Sequence, residues 1–311
     1  MEETFFYSIA EFNCSITFAD TTVNSIQLLP SFKSFSTDLS SSDNTTDCST
    51  KNKTGTTHET LFRLYIDDTT APAKEKELIR NFDTGNGDTM VFNLPDGGYQ
   101  FIIKDLHGKS CALLITNSKF TECRCALKGD TSMRIFGLNS AIMLIFAYAA
   151  SFHDTLLIHA SCVRNNGKAF PFIAKSGTGK STHSNLWMNY IPDTDLINDD
   201  NPIIRIINDT PYLYGSPWSG KTPCYRNVKV PLGAITRIER APANSIEKQP
   251  VLQAMASIMP SCSSMKWDLQ INNNICDTLT KLLATIPVFT LRCLPDREAA
   301  ELCHRTLNAY Q

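Results

Sequence analysis

The stretch IAKSGTGKST, residues 173–182, decides how the rest of this sequence is interpreted. A glycine-rich loop that ends in Gly-Lys-Ser is typical of phosphate binding, because its backbone N–H groups converge on phosphate oxygens at the start of a helix. Ala174 stands where such loops usually have their first glycine. Its methyl group is compatible with the loop if φ is negative there, so we expect phosphate binding to be retained.

Each position of the loop has a predicted task. Gly177 and Gly179 permit the tight curvature, Lys180 can reach the β- and γ-phosphates, and the hydroxyl of Ser181 can bind Mg²⁺. The segment STHSNLWMNY, residues 181–190, predicts the helix whose N-terminus completes the site. The predicted nucleotide-binding residues are Ser176, Gly177, Thr178, Gly179, Lys180, Ser181 and Thr182.

A β-hairpin is predicted directly in front of the loop. TLLIHASCV, residues 155–163, has a strand pattern, Asn166-Gly167 is a strong hairpin-turn signal, and AFPFIA leads into the loop. In most phosphate-loop NTPases the strand before the loop is instead the central strand of a parallel sheet. The hairpin therefore reduces the number of phosphate-loop families to which the sequence can be compared. His159, on the first strand, is either a core residue with a satisfied hydrogen bond or a catalytic residue that lies beside the phosphates or orients an aspartate.

An acidic pair follows 19 and 20 residues after Lys180. Leu196 and Ile197 have the character of strand residues, and Asp199 and Asp200 come at the end of that strand. Carboxylates at a strand end suit Mg²⁺ binding and can accept the proton of an attacking hydroxyl. Asp-Asp-Asn-Pro is also a turn-forming sequence. The distance from the loop lysine favours the site, so both aspartates are candidate catalytic residues and metal ligands, with the division of roles left open.

The segment GSPWSGKTPCYRN, residues 215–227, is the predicted source of a further positive charge. Lys221 and Arg226 can bring that charge to the transferred phosphoryl group or to an acidic substrate. Arg226 is the preferred catalytic cation, ahead of Arg205 in the strand pattern IIRII. Together with the loop lysine, the strand histidine and the aspartate pair, it completes the predicted catalytic set.

The chain divides into a β-rich half and an α/β half. Residues 1–130 contain short β-type runs separated by hairpin turns such as PDGG, and a polar stretch at about 34–57 predicts a loop. Residues 131–311 carry the phosphate loop and begin with an apolar helical pattern over 133–152. The expected fold class is therefore α/β, or α+β, with an N-terminal β-rich domain. Further helices are expected in SIEKQPVLQAMASIM, WDLQINNNICDTLTKLLATI and PDREAAELCHRTLNAY.

Composition and charge exclude several classes of protein. The chain has 311 residues and a formal net charge of −2, which argues against nucleic acid as a partner. Its first residues, MEETFFYSIAEF, lack the basic segment of a secretory signal, and we expect no apolar run to reach the ~18–20 residues of a membrane span. A soluble, cytoplasmic protein is therefore expected. The 11 cysteines have no disulfide-like spacing, so free thiols are expected, with Cys123 and Cys125 packed rather than bound to metal.

These motifs together resemble the HPr kinase/phosphorylase group and its related serine kinases, which share a core with phosphoenolpyruvate carboxykinases. The matching pieces are LLIHASCVRNNGKAFPFIAKSGTGKST, LINDDNPIIRI and YGSPWSGK, and the likeness covers about residues 133–311. The resemblance implies a P-loop kinase core, ATP and Mg²⁺ as cofactors, and phosphorylation of a hydroxyl, commonly of serine, with one aspartate of the pair as the base.

Two departures from that group keep the acceptor open. Ala174 replaces the first loop glycine, and CYRNVKVPLG stands where HPr kinases have an Arg-Gly-rich signature. The expected acceptor is therefore a hydroxyl-bearing protein, peptide or small molecule rather than HPr itself. Related enzymes often assemble, so a homo-oligomer is compatible with the resemblance, and the sequence leaves the oligomeric state open.

A non-catalytic ATP-binding regulatory module is the competing hypothesis, and the altered loop glycine leaves room for it. ATP would then only order the second domain against the first. An ABC-type ATPase is disfavoured, because the sequence has neither an LSGGQ-like stretch nor an apolar run ending in Asp-Glu. The short chain disfavours a phosphoenolpyruvate carboxykinase.

Overall fold

The computed structural model describes residues 1–37, 60–83 and 87–310. The polar stretch predicted as a loop at about 34–57 lies outside the described residues from position 38 onward. The described part of the chain is of the mixed α/β class, with three sheets and five α-helices.

Two compact units divide the chain, Met1–Ala149 and Ala150–Gln311. The sequence analysis set the boundary earlier, between positions 130 and 131, and so assigned the apolar helix to the second domain. In the structure that helix, α1 (Thr131–Ala150), packs within the first unit. Gly137 lies so close to Cys111 that a Cβ added to the glycine would be 2.8 Å from the Cys111 backbone. The boundary therefore follows the helix rather than preceding it.

The described residues of the first unit form one eight-stranded sheet, whose strands are β1 (Glu3–Ile9), β2 (Phe12–Phe18), β3 (Thr60–Ile66), β4 (Glu77–Asp83), β5 (Asp88–Asn93), β6 (Tyr99–Lys104), β7 (Ser110–Thr116) and β8 (Glu122–Leu127). Their order across the sheet is β1-β2-β3-β8-β7-β6-β5-β4. β3 runs parallel to β2 and β8, and the other neighbours are antiparallel hairpins or meanders. Gly97 and Gly108, at φ +81° and +74°, supply the turns around β6.

The helix α1 and the short 3₁₀ turn after it form a continuous helical segment, Thr131–His153, of 23 residues. By length and composition this segment could cross a membrane, which corrects the expectation that no apolar run reaches that length. However, 61% of its most apolar stretch is buried inside the fold, as in the core helix of a soluble protein. Phe146 packs edge-on against Phe12, with 6.3 Å between the ring centroids.

The second unit contains two sheets and four α-helices. Its elements are β9 (Thr155–Leu157), β10 (Ala160–Asn165), β11 (Lys168–Ile173), α2 (Lys180–Tyr190), β12 (Asp195–Asp200), β13 (Ile203–Ile207), β14 (Thr210–Tyr214), β15 (Lys229–Pro231), β16 (Ile235–Arg240), β17 (Ser245–Lys248), α3 (Val251–Ile258), α4 (Leu269–Thr285), β18 (Val288–Cys293) and α5 (Arg297–Asn308). The larger sheet has the order β12-β10-β11-β16-β18-β17, and the smaller one has the order β15-β14-β13-β9.

The predicted hairpin is confirmed as β10 and β11, which pair antiparallel from Asn165 with Lys168 to Ala160 with Ile173. The single strand predicted over 155–163 is divided, because β9 belongs to the smaller sheet and His159 lies between β9 and β10. Asn166 and Gly167 join them at φ +49° and +72°. Both central positions of such a tight turn need positive φ, which asparagine and glycine tolerate best. On its other side β11 runs parallel to β16, so the strand that feeds the loop has one antiparallel and one parallel neighbour.

An aromatic cluster under α2 fixes the direction of this helix. Trp187 is fully buried and contacts Phe170 and Phe172 of β11, with ring centroids 5.4 and 5.5 Å apart. Burying such a side chain stabilises the fold by roughly 2–3 kcal/mol. One turn earlier His183 is also buried, and its Nε2 accepts a hydrogen bond of 3.1 Å from the Trp187 indole. Burial lowers the pKa of His183 to about 4.

One predicted helix is wrong in its first part. The segment SIEKQPVLQAMASIM is a strand, Ser245–Lys248, followed by the helix α3, which begins at Val251. Pro250 separates the two, because proline has no N–H to donate to the hydrogen bonds of a sheet but is well suited to the start of a helix. The two later helices are confirmed as α4 and α5. The sequence analysis assigned no element to the parallel strands β16 and β18.

The cysteines of the described residues are all free, as expected. Cys123 and Cys125 are both buried on β8, and burial raises the pKa of each thiol. The prediction that they pack as small apolar groups fits this environment. Cys48 lies outside the described residues.

Candidate functional site

Three strand ends meet at one edge of the larger sheet. Ala160, the first residue of β10, pairs with Ile173, the last residue of β11, and on its other side with Asp200, the last residue of β12. His159 precedes Ala160, and the glycine-rich loop follows Ile173. The antiparallel pairing therefore brings the histidine, the loop and the acidic pair together, which is one of the two alternatives that the sequence left open for His159.

The glycine-rich loop adopts the tight path that its sequence predicts. Gly177 and Gly179 have φ values of +75° and +127°, which side-chain-bearing residues rarely adopt. Ala174 does not belong to the residues with positive φ, so its methyl group causes no backbone strain. Gly179 is the N-cap of α2 and provides no side-chain cap, so the first N–H groups of the helix keep their capacity to bind an anion. The side chains of Ser176, Ser181 and Thr182 are exposed around it.

Lys180, His159 and Asp200 form a hydrogen-bonded chain across the site. The Nζ of Lys180 lies 2.7 Å from Nε2 of His159, and Nδ1 of His159 lies 2.9 Å from Oδ1 of Asp200. A lysine ammonium can only donate, so Nε2 accepts from it and the Nδ1–H donates to the carboxylate. Burial lowers the pKa of Lys180, while the charges of Asp200 and Asp199 act in the opposite direction.

The two aspartates have different surroundings. Asp200 is partly exposed, and its second oxygen accepts a hydrogen bond of 2.7 Å from the Asn201 amide. Asp199 is 4% exposed, and its Oδ2 is buried without a hydrogen-bond partner. A buried carboxylate oxygen without a donor is costly unless a cation or a proton reaches it. Asp199 is therefore the aspartate whose environment is incomplete in the free protein.

Asn198 holds the acidic pair in place from below. Its side chain is fully buried. Its Oδ1 accepts from the backbone N–H groups of Asp200 and Asn201 at 3.0 and 2.9 Å. Its Nδ2 donates to the Trp218 carbonyl at 3.0 Å and to the Ser216 hydroxyl at 3.2 Å. The amide thus ties the end of β12 to the segment after β14. The sequence analysis did not single out this residue, although it precedes the acidic pair directly.

The segment after β14 lies against the acidic pair through Gly220. Its N–H donates to the Asp199 carbonyl at 2.7 Å, and an added Cβ would lie 2.7 Å from that oxygen and 3.4 Å from Cβ of Asp200. A side chain of any size would therefore push this segment away from the carboxylates. The predicted GSPWSGK segment is part of the site through its backbone.

Arg226 lies away from the acidic pair, which corrects the prediction that it is the catalytic cation. After Ser219, which bridges to Asp200, the chain runs back along β12 toward its first residue. Arg226 there donates to Asp195 at 2.6 Å, and Arg164 binds the same carboxylate at 2.7 and 2.9 Å. Although burial opposes ionisation, these two arginines hold the pKa of Asp195 below its ordinary value. The length of β12 separates this cluster from the site by roughly 16 Å.

Arg240, which the sequence analysis missed, contacts the loop directly. It ends β16, and its guanidinium donates to the carbonyl of Gly177 at 2.6 Å and to that of Thr178 at 3.1 Å. A carbonyl and the following N–H of one peptide point in opposite directions. Arg240 on the outside therefore favours an inward orientation of the Gly179 N–H, toward a bound phosphate. No local sequence pattern marks this arginine, because its position depends on the parallel pairing of β16 with β11.

Two cavities border the loop. The larger, of about 790 Å³, is lined by His159, Ala174 and residues 175–178 on one side and by residues of β16, α3 and the following 3₁₀ turn on the other. The smaller, of about 440 Å³, lies beside Gly179 and Thr182. Both volumes fall in the range of ~300–1,000 Å³ that small-molecule sites occupy.

The residues present are compatible with Mg²⁺ at this edge. Within the described residues, no group of three or more His, Cys, Asp or Glu side chains could hold a metal ion without further ligands. Magnesium is commonly bound by one or two carboxylates together with substrate phosphates. The unpartnered oxygen of Asp199, the carboxylate of Asp200 and the exposed hydroxyl of Ser181 provide that kind of donor set.

Comparison with known proteins identifies no family for this chain, because neither a protein-family model nor a curated protein matches it.

Proposed function

We propose that this protein is an ATP- and Mg²⁺-dependent kinase that transfers the γ-phosphoryl group to the hydroxyl of a protein, a peptide or a small molecule. The observation that carries the proposal is the meeting of a phosphate-type loop, its lysine and an aspartate with an unpartnered buried oxygen at one sheet edge. Phosphoryl transfer needs these groups and little else, because its catalysis is mostly positioning and charge stabilisation.

The roles of the chain's own residues follow from their surroundings. The loop N–H groups and the start of α2 bind the phosphates, and Lys180 places a positive charge against the β- and γ-phosphates. Asp199 accepts the proton of the acceptor hydroxyl at Oδ2, because this oxygen breaks no hydrogen bond when it becomes protonated. Both oxygens of Asp200 are already engaged, so we assign it to orienting His159 and to charge balance.

Atoms and charge balance in this step. The acceptor oxygen bonds to the γ-phosphorus, the bond from that phosphorus to the β–γ bridging oxygen breaks, and ADP leaves with the electron pair. Mg²⁺, when bound, would neutralise charge on the phosphates, and the Ser181 hydroxyl and the Asp200 carboxylate would hold it, so that Asp199 Oδ2 is left to accept the proton. Because Asp199 Oδ2 is out of contact with solvent in the free protein, acceptor binding has to open access to it.

Transfer of label from γ-labelled ATP tests the proposal. The purified protein is incubated with Mg²⁺ and host cytosolic extract, and large and small products are separated. We expect label in one fraction, its loss in Lys180→Ala and in Asp199→Asn, and its retention in two control variants. Lys168→Ala alters the same hairpin at its opposite end, and Asp193→Asn changes an exposed turn residue whose φ of +55° asparagine tolerates. Full activity of Asp199→Asn and Asp200→Asn together would refute the proposal.

The regulatory module remains the second candidate, and one observation favours it. The Lys180 ammonium is already held by His159 and the carbonyl of Ala174, and a phosphate would have to replace these contacts before Lys180 could take part in transfer. In that case the wild-type protein binds ATP, the Lys180→Ala variant does not, and neither transfers label.

A further inference from the structure

The smaller cavity lies beside the start of α2. Gly179 and Thr182 contribute to one wall, and residues at the ends of β16 and β18 and just after them form the other. We propose that this cavity is the nucleoside subsite, which receives the base and ribose of the nucleotide, and that the larger cleft is left for the acceptor. The proposal rests on the proposed function, because it takes a nucleoside triphosphate as the substrate.

The position of Lys180 fixes the γ-phosphate end of the site. In a loop of this kind the lysine reaches the β- and γ-phosphates, while the backbone cradles the α- and β-phosphates. The Nζ of Lys180 points to His159, at 2.7 Å, and to the carbonyl of Ala174, at 3.4 Å. Both of these residues line the larger cleft. The terminal phosphate therefore faces the larger cleft, where an acceptor hydroxyl can approach it in line.

The α-phosphate end lies on the other side of the loop. Neither His159 nor Ala174 borders the smaller cavity, whereas Gly179, the N-cap of α2, and Thr182, in its first turn, do. A nucleotide whose γ-phosphate faces the histidine continues past these two residues. Its ribose and base then enter the smaller cavity.

The lining of the smaller cavity suits a flat aromatic ring. It is formed largely by apolar side chains, which provide contact area to the faces of a base. At least one polar group is already engaged elsewhere, because Arg240 donates to the loop carbonyls. The buried His183 accepts from Trp187 at Nε2. The apolar residues of the lining are Leu186, Ile238, Ala241, Cys293, Leu294 and Pro295.

Weak discrimination between bases follows from this lining. A site rejects an analogue strongly only when buried polar groups would lose their partners, and an apolar pocket does so poorly. The cavity holds the base mainly through apolar contact. We therefore expect ATP and GTP to bind with dissociation constants within about tenfold of one another.

A matched pair of tryptophan variants tests the assignment. Ala241→Trp fills the smaller cavity, and Ala256→Trp makes the same change on α3 at the wall of the larger cleft. The dissociation constants of ATP and of inorganic tripolyphosphate, which has no base, are measured by calorimetry with Mg²⁺. We expect Ala241→Trp to weaken ATP by about tenfold or more and to leave tripolyphosphate unchanged. Ala256→Trp should leave both ligands within about twofold of wild type.

The outcomes separate the two proposals. If the wild-type protein binds neither ligand, the proposed function and the subsite both fail. If it binds both, and Ala241→Trp weakens neither or Ala256→Trp weakens ATP selectively, the subsite assignment alone is overturned. Should Ala241→Trp not fold, photolabelling of the wild-type protein with 8-azido-ATP decides: label on 182–186 or 293–295 supports the subsite, and label on 256–261 refutes it.

Discussion

Replacing Asn198 by aspartate changes one atom type in a fully buried side chain, and so isolates what its amide contributes. The carboxylate keeps the two hydrogen bonds accepted from backbone N–H groups. It loses the two donated ones, and oxygen then faces the oxygens of Trp218 and Ser216 at 3.0 and 3.2 Å. The Trp218 carbonyl still accepts from the Ser216 hydroxyl, and that hydroxyl still accepts from the Trp218 N–H. The cost therefore lies in the buried carboxylate oxygen, which faces these oxygens without a donor, and we expect a destabilisation of about 3–5 kcal/mol.

The destabilisation should depend on pH with a definite sign. Burial and two facing oxygens raise the folded-state pKa of the new carboxyl above its value in the unfolded chain. The protonated carboxyl can donate to the Trp218 carbonyl, so part of the lost stability returns at low pH and disappears as pH rises through the folded pKa. The free energy of unfolding of Asn198→Asp relative to wild type should therefore be less unfavourable at pH 5.5 than at pH 8.

Urea unfolding followed by tryptophan fluorescence measures this effect in the second unit alone. The chain has three tryptophans, Trp187, Trp218 and Trp267, and all three belong to that unit. Asn273→Asp, an exposed position on α4, is the control and should change stability by less than about 0.5 kcal/mol. An Asn198→Asp variant as stable as this control at pH 8 would show that the amide does not hold the acidic pair.

Three further predictions concern the loop, the core and the acidic pair. Arg240→Ala should raise the KM for ATP about five- to tenfold in steady-state assays, with kcat little changed. The control is Arg292→Ala, which removes ion pairs with Glu239 and Glu247 on the same sheet and should leave both constants unchanged. His183 has a pKa of about 4 in the folded protein, so it binds a proton more readily in the unfolded chain. The free energy of unfolding of the wild type should therefore fall as pH drops from about 6.5 to 4, by up to about 1.4 kcal/mol per pH unit. His183→Gln should reduce that slope in unfolding experiments. Gly220→Ala should clearly lower the rate of phosphoryl transfer while the melting temperature changes little, because the new methyl group displaces the backbone from the acidic pair.

Local signals account for what the sequence predicted well. Asn166-Gly167 specifies a tight hairpin by itself, because both positions need positive φ. Gly177 and Gly179 specify the loop for the same reason. Once the hairpin is known, antiparallel pairing of Ala160 with Ile173 is enough to place His159 beside the start of the loop. These features depend on residues close in the chain, which sequence patterns capture.

Features that depend on pairing between distant segments were missed. β16 joins the sheet through a parallel contact with β11, more than 60 residues away, and no turn marks that partner. For this reason the sequence did not predict the contact between Arg240 and the loop. Arg226 was misplaced because its nearness to the GSPWSGK segment in sequence said nothing about the direction of the chain, which runs back along β12 toward Asp195.

The tip of the β10–β11 hairpin offers an attachment point for a reporter. Asn166 and Gly167 are exposed, and the six residues of β10 place them about 20 Å from the sheet edge where the loop, the histidine and the acidic pair meet. The strands that lead to this tip also lead directly to the loop. A cysteine-linked fluorophore or a short peptide tag inserted there would be rigidly coupled to the loop while leaving both cavities open, so ligand arrival could be followed optically in the intact chain.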